Sequence, residues 1–292
     1  MYDNKKSGRP AVLCSWTQSV SMANVESNGF FTDIDQADWE RLKERIRSQK
    51  NHNDERTASG NVTDPAIFYQ FSYEPSFTCL GEARIGGMGD GPKWVCDPHR
   101  IGTTSQDHAH QPKSSSCLVY SVGCAGKVEF EKGIQDRFGS ACEMHVFDVT
   151  GYNRRNGNFT EIVRDAGGIF HQWGIGTAEQ SARNPSKFRT LKETVEALGH
   201  NGRTIDIFKI DCEGCEWATY KDWFDADVEM IRQILVEVHS VKVPDTFDFF
   251  RHLAQLGYVI FHKEANVLAK PFGDAWEYAF IKLGINSGGD AQ

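Results

Sequence analysis

The fold is set by the stretch CLVYSVGCAGKVEFEKGIQDRF, residues 117–138. Its first six residues are largely apolar, which is typical of a buried strand in a parallel sheet. Gly123 and Gly126 mark a tight turn, and residues 127–138 follow as a predicted helix. A strand that passes through a glycine turn into a helix is the repeating unit of an open α/β sheet.

The same alternation continues towards the end of the chain. Six more strands are predicted, at residues 143–148, 168–173, 205–211, 231–238, 258–262 and 277–283. The intervening helices are predicted at residues 191–198, 216–224 and 247–256. Only about 14 residues without a helical pattern separate the last two strands, whereas a parallel pair needs a crossover that is usually helical. We therefore expect the seventh strand to be antiparallel, which gives the class I methyltransferase (Rossmann-like) variant of the α/β fold.

The N-terminal part has a weaker pattern. We predict a loose arm over residues 1–30 and an extension over 31–116, with a helix at 36–49 and glycine-rich loops, packed on the core. The catalytic domain is predicted at 117–285, followed by a tail at 286–292. Within the extension, residues 66–116 are the candidate cover of an acceptor site, because long irregular segments rich in glycine are often functional.

Composition excludes several classes of protein. Of the 292 residues 39% are hydrophobic, which is enough for a core, and no apolar run approaches a membrane span. The net charge of −8 is spread along the chain, so nucleic-acid binding is not expected. We expect a soluble protein, with the cytoplasm favoured; a Golgi or secreted location follows if a signal or anchor precedes this chain.

Eight cysteines are too few for a disulfide scaffold. Five of them lie in or beside strand-like runs and are expected to be reduced, buried thiols: Cys117, Cys124, Cys142, Cys212 and Cys215. Cys79 and Cys96 lie in a glycine-rich region and are candidates for a disulfide in an oxidising compartment.

A nucleotide-like cofactor is expected where the first two strands end. Ligands of open α/β sheets bind at the carboxyl ends of the strands, and a glycine turn there lets the backbone approach them closely. The turn contributes four candidate residues, Ser121, Gly123, Cys124 and Gly126. Asp148 ends the second strand and is placed to accept hydrogen bonds from the ribose hydroxyls of an adenosine.

Acidic residues and a histidine end the fourth and fifth strands. Asp211 follows the fourth strand directly, and Glu237 and His239 lie on the same side of the fifth. We predict Asp211 or His239 as the catalytic base, with Glu237 orienting His239. Glu213 and Glu216 are read instead as acids at the N-terminus of the next helix, and a divalent ion held by Asp211, Glu237 and His239 is left open.

Two other functions compete with methyl transfer. A nicotinamide-dependent oxidoreductase fits the glycine turn, but the third glycine of its motif is missing and its sheet would stay parallel. A metal-stabilised binding module is suggested by Cys96-x-x-His99 and His108-x-His110, whose histidine spacing fits zinc fingers poorly. The Cys212-x-x-Cys215 pair is only half of a zinc site.

Four segments resemble the methyltransferase-like protein 24 group of eukaryotes, which is related to the bacterial FkbM-type methyltransferases. They are residues 119–126 with Phe130-Glu131, 145–148, 208–217 and 233–239. Residues 89–98 and the Phe30-Phe31 pair with Trp39 are also similar, although Pro92 stands where the group has glycine.

This resemblance implies S-adenosylmethionine (SAM) as the cofactor. It places Gly123, Gly126 and Asp148 at the cofactor and Asp211 near its methionine end or the acceptor. Trp173, Gly174 and Ile175 would lie near the adenine. The expected activity is SAM-dependent transfer of a methyl group to oxygen or nitrogen of an unidentified small molecule, glycan or protein.

Overall fold

A computed structural model describes residues 21–57, 64–102, 117–241, 245–269 and 273–285. The helices in these ranges are α1 Met22–Glu26, α2 Gln36–Thr57, α3 Pro65–Phe71, α4 Glu129–Phe138, α5 Phe159–Asp165, α6 Ala178–Arg183, α7 Leu191–Leu198, α8 Cys215–Thr219 and α9 Asp245–Gln255. The first strands are β1 Ala83–Ile85, β2 Lys93–Val95, β3 Cys117–Val122, β4 Cys142–Phe147, β5 Tyr152–Asn153, β6 Gly157–Asn158 and β7 Ile169–His171. The others are β8 Gly174–Ile175, β9 Phe188–Arg189, β10 Thr204–Ile210, β11 Met230–His239, β12 Tyr258–Ala265 and β13 Ala275–Lys282.

Seven of the described strands form the central sheet, in the order β12-β13-β11-β10-β3-β4-β7. The five strands from β11 to β7 run parallel, whereas β13 is antiparallel to both β11 and β12. This confirms the predicted α/β sheet with an antiparallel last strand. The order of the strands reverses at β3, so the carboxyl ends of β3 and β10 form the crevice where ligands of such sheets bind.

Local sequence explains the elements that frame this crevice. All six residues of β3 are buried, as expected of a central parallel strand that is covered on both faces. Helix α7 begins with a capping box between Thr190 and Glu193 and ends at Gly199 in the left-handed conformation. It occupies residues 191–198, as the sequence predicts.

The sheet buries a core on each face. Alternate residues of β3 point to opposite sides: Val119 packs in one core and Tyr120 in the other. Phe31 and Trp39 from the N-terminal segment lie in the first core with Val119, while Phe249 of α9 lies in the second. The N-terminal segment is therefore packed against the sheet.

The structure corrects the N-terminal prediction in part. Residues 21–30 are no loose arm, since they contain α1 and the buried Phe30; residues 1–20 lie outside the described part. Helix α2 begins at the predicted residue, 36, but continues beyond its predicted end at 49 to Thr57. The boundary at 116/117 stays a prediction because residues 103–116 are not described, and the predicted tail at 286–292 also lies outside the described residues.

Three disulfides join described cysteines: Cys79–Cys96, Cys117–Cys142 and Cys212–Cys215. The expectation of reduced thiols is wrong for four of the five strand-associated cysteines. The parallel register sets Cys117 directly opposite Cys142, with Cα atoms 4.4 Å apart, and sequence periodicity does not give that register. Only Cys124 among the described cysteines is a free thiol, buried as predicted. Disulfides of this kind are typical of oxidising compartments.

The disulfides predict a simple labelling pattern. In protein folded under oxidising conditions, then denatured without reductant and treated with iodoacetamide, Cys124 should be the only alkylated cysteine among residues 21–285. Peptide mapping by mass spectrometry measures this, with a fully reduced digest as the control. Alkylation of Cys117 or Cys142 would contradict the bond between β3 and β4.

Among the described helices, none combines the length and the apolar character that crossing a membrane requires.

Candidate active site

A cavity of about 670 Å³ opens at the carboxyl ends of β3, β4, β10 and β11. This volume lies within the range of small-molecule sites. Eight predicted site residues line it: Gly123, Cys124, Asp148, Gly174, Ile175, Asp211, Glu237 and His239. The other three, Ser121, Gly126 and Trp173, are not part of its wall.

The glycine turn after β3 is held against the end of β10. Gly123 has φ +77°, and a Cβ atom on it would lie 1.7 Å from the carbonyl oxygen of Asp211. Lys209 reinforces the same junction by donating from Nζ to the carbonyl oxygen of Gly123, at 2.8 Å. Gly126 also has a positive φ, +77°, and a Cβ there would lie 2.4 Å from the ring of Phe159. Both glycines are therefore required for the turn.

Asp148 holds this turn in place. Its Oδ2 accepts hydrogen bonds from the backbone N–H groups of Cys124 and Ala125, at 3.1 and 2.8 Å, and its Oδ1 accepts one from Thr150. An ionised carboxylate has about four acceptor positions, so it retains capacity to bind a ligand hydroxyl. Cys124 contributes no reactive group, because burial raises the pKa of its thiol to about 12.

Two predicted cofactor residues have other environments. Ser121 is fully buried, and its hydroxyl donates to Glu131 at 2.5 Å. Trp173 is half-buried, with the guanidinium of Arg189 4.1 Å from its ring centroid. Trp173 packs against the second core, whereas its neighbours Gly174 and Ile175 line the cavity.

A buried lysine lies behind the carboxylates of the cavity. Lys93 of β2 is only 2% exposed, and its Nζ lies 3.4 Å from Asp211, 4.0 Å from Glu237 and within hydrogen-bond distance of Glu277. Asn266 donates to Glu237 from the other side, at 2.6 Å. Strand β2 of the N-terminal segment therefore places a positive charge beside the carboxylates at this edge of the sheet.

Burial and neighbouring charges give Asp211 and Glu237 very different pKa values. Burial acts to raise the pKa of Asp211, but the charges of Lys93 and Lys209 outweigh it and bring the pKa down to about 2. Burial, with the charges of Asp211 and Glu277, raises the pKa of Glu237 to about 8. At neutral pH Asp211 is therefore ionised, and Glu237 is protonated and donates to it.

His239 is oriented by Glu216 and not by Glu237 as predicted. Glu216 is fully buried, and its Oε1 lies 3.1 Å from Nδ1 of His239 while it accepts the backbone N–H of the same residue. Burial acts to lower the pKa of His239, but the hydrogen bond and charge of Glu216 outweigh it and raise the pKa to about 9. With this pKa His239 is a cation at neutral pH, and its role as the base stays a prediction.

The raised pKa values of Glu237 and His239 each make a contribution to stability that falls as the pH rises. Glu237 keeps its proton in the folded protein up to about pH 8, whereas an unfolded glutamate loses it near 4.3, so its contribution is full below about 4.3 and lost as the pH rises towards 8. His239 contributes in the same direction between about 6.5 and 9. Between about pH 5 and 6.5 only Glu237 of these two groups titrates, so Glu237→Gln should remove its downward contribution to the slope of stability against pH.

Urea unfolding midpoints at about pH 5 and pH 6.5 measure this effect. Glu179→Gln, a change on the exposed surface of α6, is the matched control and should keep the slope of the unmodified protein. The same slope in Glu237→Gln as in the unmodified protein would contradict the raised pKa of Glu237.

Sequence reasoning missed Lys93, Glu216 and Glu277. Lys93 lies in a short strand of the N-terminal part, and Glu277 lies in the last strand. Neither residue follows the end of a predicted parallel strand, so the sequence did not place them at the crevice. Glu216 was assigned to the start of a helix, which is where it lies, but its side chain is turned inwards. An apolar segment that carries one lysine was the available signal, since a buried lysine needs a charged partner.

The proposed metal sites change with the structure. Cys96 is bonded to Cys79, which removes it from the Cys96/His99 site, and His108 and His110 lie outside the described residues. The Cys212/Cys215 pair is also a disulfide. At the cavity, the groups of Asp211, Glu213 and His239 come within 4.8 Å of one another, without Glu237. Of the candidate cover at 66–116, the aromatic residues Phe68 and Tyr69 pack in the second core, and among its described residues only Asp90 and Gly91 line the cavity.

Comparison with solved structures gives only weak similarity. A Klebsiella pneumoniae protein provisionally assigned as an O-methyltransferase is 12% identical, with 63% of this chain and 86% of that chain covered and a TM-score of 0.36. A precorrin-6y C5,15-methyltransferase from Geobacter metallireducens is 8% identical over 57% and 80%, with a TM-score of 0.31. The Methanococcus jannaschii fibrillarin pre-rRNA processing protein is 13% identical over 71% and 85%, with a TM-score of 0.31.

Family membership rests on a different comparison. A search of curated proteins gave no significant match. The family model described as a methyltransferase domain matches residues 21–282, which include both the N-terminal segment and the whole sheet. The chain belongs to this methyltransferase domain family and is an enzyme that transfers methyl groups.

Proposed function

We propose that the chain is a SAM-dependent methyltransferase that binds its cofactor in the cavity between the glycine turn and Asp148. The observation that carries this proposal is that one cavity joins the turn at Gly123, the strand-end carboxylate of Asp148 and the acidic end of β10 at Asp211. These are the three parts that an extended nucleoside with an amino-acid tail would contact.

The side chains of the cavity fit the chemistry of that cofactor. Phe147, Ile175 and Phe188 offer apolar surface for an adenine, and Asp148 lies beside them for the ribose hydroxyls. Acidic side chains outnumber basic ones along the wall, which favours a cationic sulfonium. The acidic residues are Asp90, Glu129, Glu131, Asp148, Asp211, Glu213, Glu237 and Asp274, and the basic ones are Lys127, Lys209 and His239.

Asp211, Glu237 and His239 would form the acceptor end of the site. A bound sulfonium supplies an activated methyl group, so the protein mainly has to align the acceptor and exclude water. Asp211 is ionised but only weakly basic, so it suits a role in accepting a hydrogen bond from the acceptor's O–H or N–H group. It would take that proton as the methyl group is transferred and the proton becomes acidic. His239 presents a charged donor to the same space. The acceptor is an oxygen or nitrogen of a small molecule, glycan or protein.

Binding of SAM by an Asp148→Ala variant tests the proposal. Loss of hydrogen bonds to a charged group should weaken binding by about 10-fold or more in isothermal titration calorimetry. Asp165→Ala removes an exposed aspartate elsewhere and should leave the affinity unchanged. Circular dichroism checks that the turn held by Asp148 remains folded.

An unchanged affinity in folded Asp148→Ala would overturn this placement of the cofactor. Retention of NAD rather than SAM by the purified protein would favour the oxidoreductase alternative.

A further inference from the structure

A second cluster of potential ligands lies at the amino ends of the strands, away from the cavity. Glu143 is near the start of β4, His145 follows two residues later, and His200 lies in the loop between α7 and β10. None of the three lines the cavity, so the cluster is separate from the proposed active site.

The three side chains converge on one point. Nε2 of His145 lies 3.0 Å from Oε1 of Glu143, and Nε2 of His200 lies 3.2 Å from the same oxygen. Zinc bonds of about 2.0–2.1 Å in a tetrahedral site place neighbouring ligand atoms roughly 3.3 Å apart. The ligand atoms of the three residues all lie within 4.8 Å of one another, so small side-chain movements would admit an ion between them.

The Nδ1 atoms of His145 and His200, on the side of each ring away from Glu143, already have hydrogen-bond partners. Nδ1 of His200 lies 2.7 Å from the hydroxyl of Tyr120, and Nδ1 of His145 lies 2.8 Å from Nε2 of His171. Metal-binding histidines usually have such a partner, which fixes the ring orientation and the tautomer. The loop that carries His200 is also fixed, since its backbone N–H donates to Val195.

The exposure of the cluster suits a divalent cation. The side chains of the two histidines are 5% and 6% exposed, whereas that of Glu143 is 28% exposed and leaves access for the ion and a water.

One nearby cation opposes the binding of a metal ion. Arg203 lies 2.6 Å from Oε2 of Glu143. This contact is to the carboxylate oxygen opposite the one that the two histidines approach. A carboxylate can join a metal through one oxygen and an arginine through the other.

We propose that Glu143, His145 and His200 form a zinc site that ties the loop before β10 to strand β4. Two histidines and one carboxylate are a donor set that zinc uses, with a water as the fourth ligand. The ion would crosslink the amino edge of the sheet beside the Cys117–Cys142 disulfide, and its role is structural.

Metal content of the full chain, purified without a tag or chelator, tests this proposal. Elemental analysis should give about one zinc per chain, and cobalt added after zinc removal should give the intense visible bands of a tetrahedral site. Removing the zinc should lower the midpoint of thermal unfolding by about 5 °C, and adding zinc should restore it.

Two histidine variants separate this site from adventitious binding. His200→Gln should lose the zinc and the cobalt bands while its circular dichroism stays native, whereas His99→Gln, at an exposed histidine, should keep both. Absence of zinc in the unmodified protein, with no thermal shift on its addition, would overturn the proposal and leave a hydrogen-bonded network. Retention of zinc by His200→Gln would overturn it as well. Neither outcome depends on SAM binding or methyl transfer.

Discussion

Replacing Gly123 with alanine should destabilise the protein by about 3 kcal/mol or more and abolish cofactor binding. The first reason is the positive φ, which costs a residue with a Cβ roughly 1–2 kcal/mol. The second is the contact of 1.7 Å between the added Cβ and the carbonyl oxygen of Asp211. Because that neighbour is backbone, the turn and the end of β10 have to separate.

Gly199→Ala is the matched control for this prediction. Gly199 has a similar φ of +71°, but a Cβ there would meet nothing within 4 Å. Its cost should therefore be that of the backbone conformation alone, about 1–2 kcal/mol. Urea unfolding of both variants measures the difference, and equal losses would show that the turn can move away from Asp211 without penalty.

Replacing Lys93 with methionine should have the second large effect. It leaves Asp211, Glu237 and Glu277 without their shared cation, and breaking a buried ion pair costs about 3–5 kcal/mol. The pKa of Asp211 should rise because the variant lacks the positive charge that lowers it most, that of Lys93. In the unmodified protein the low pKa of Asp211 contributes stability above about pH 4 that is lost as the pH falls towards 2. This contribution should be smaller in the variant, in which Lys209 but no longer Lys93 lowers the pKa of Asp211.

Two further variants make this result specific. Lys43→Met breaks a partly buried ion pair with Glu26 on the N-terminal segment, away from the cavity, and should reduce stability without changing methyl transfer. Lys93→Met combined with Glu277→Gln removes one of the carboxylates that lose their cation in the single variant, and it should recover part of the lost stability. A change of less than about 1 kcal/mol for Lys93→Met, or no recovery in the double variant, would contradict the role given to Lys93.

Much of the sheet was predictable because its signals are local. Apolar runs predicted each of the seven strands, and the short segment before β13 predicted the antiparallel end. Strand-end residues such as Asp211 were also predictable as neighbours, because the carboxyl ends of parallel strands meet at one edge. The two glycines were recognisable as a turn for the same local reason.

The remaining features depend on contacts between distant parts of the chain. The disulfide Cys117–Cys142 needs the register of two strands, and the position of Lys93 needs the packing of the N-terminal hairpin β1–β2 on the sheet. Ser121 and Trp173 show the opposite error, since both adjoin the site in sequence but their side chains point elsewhere.

The sequence by itself determined the order of the seven strands of the central sheet, the position of the crevice and the residues that end its strands, because hydrophobic periodicity and turn chemistry act over a few neighbouring residues. Only the tertiary structure decided which of these groups carry charge. Asp211 is ionised, Glu237 is protonated and His239 is cationic because burial and the charges of Lys93 and Glu216 act on them, and those neighbours meet only when the chain is folded.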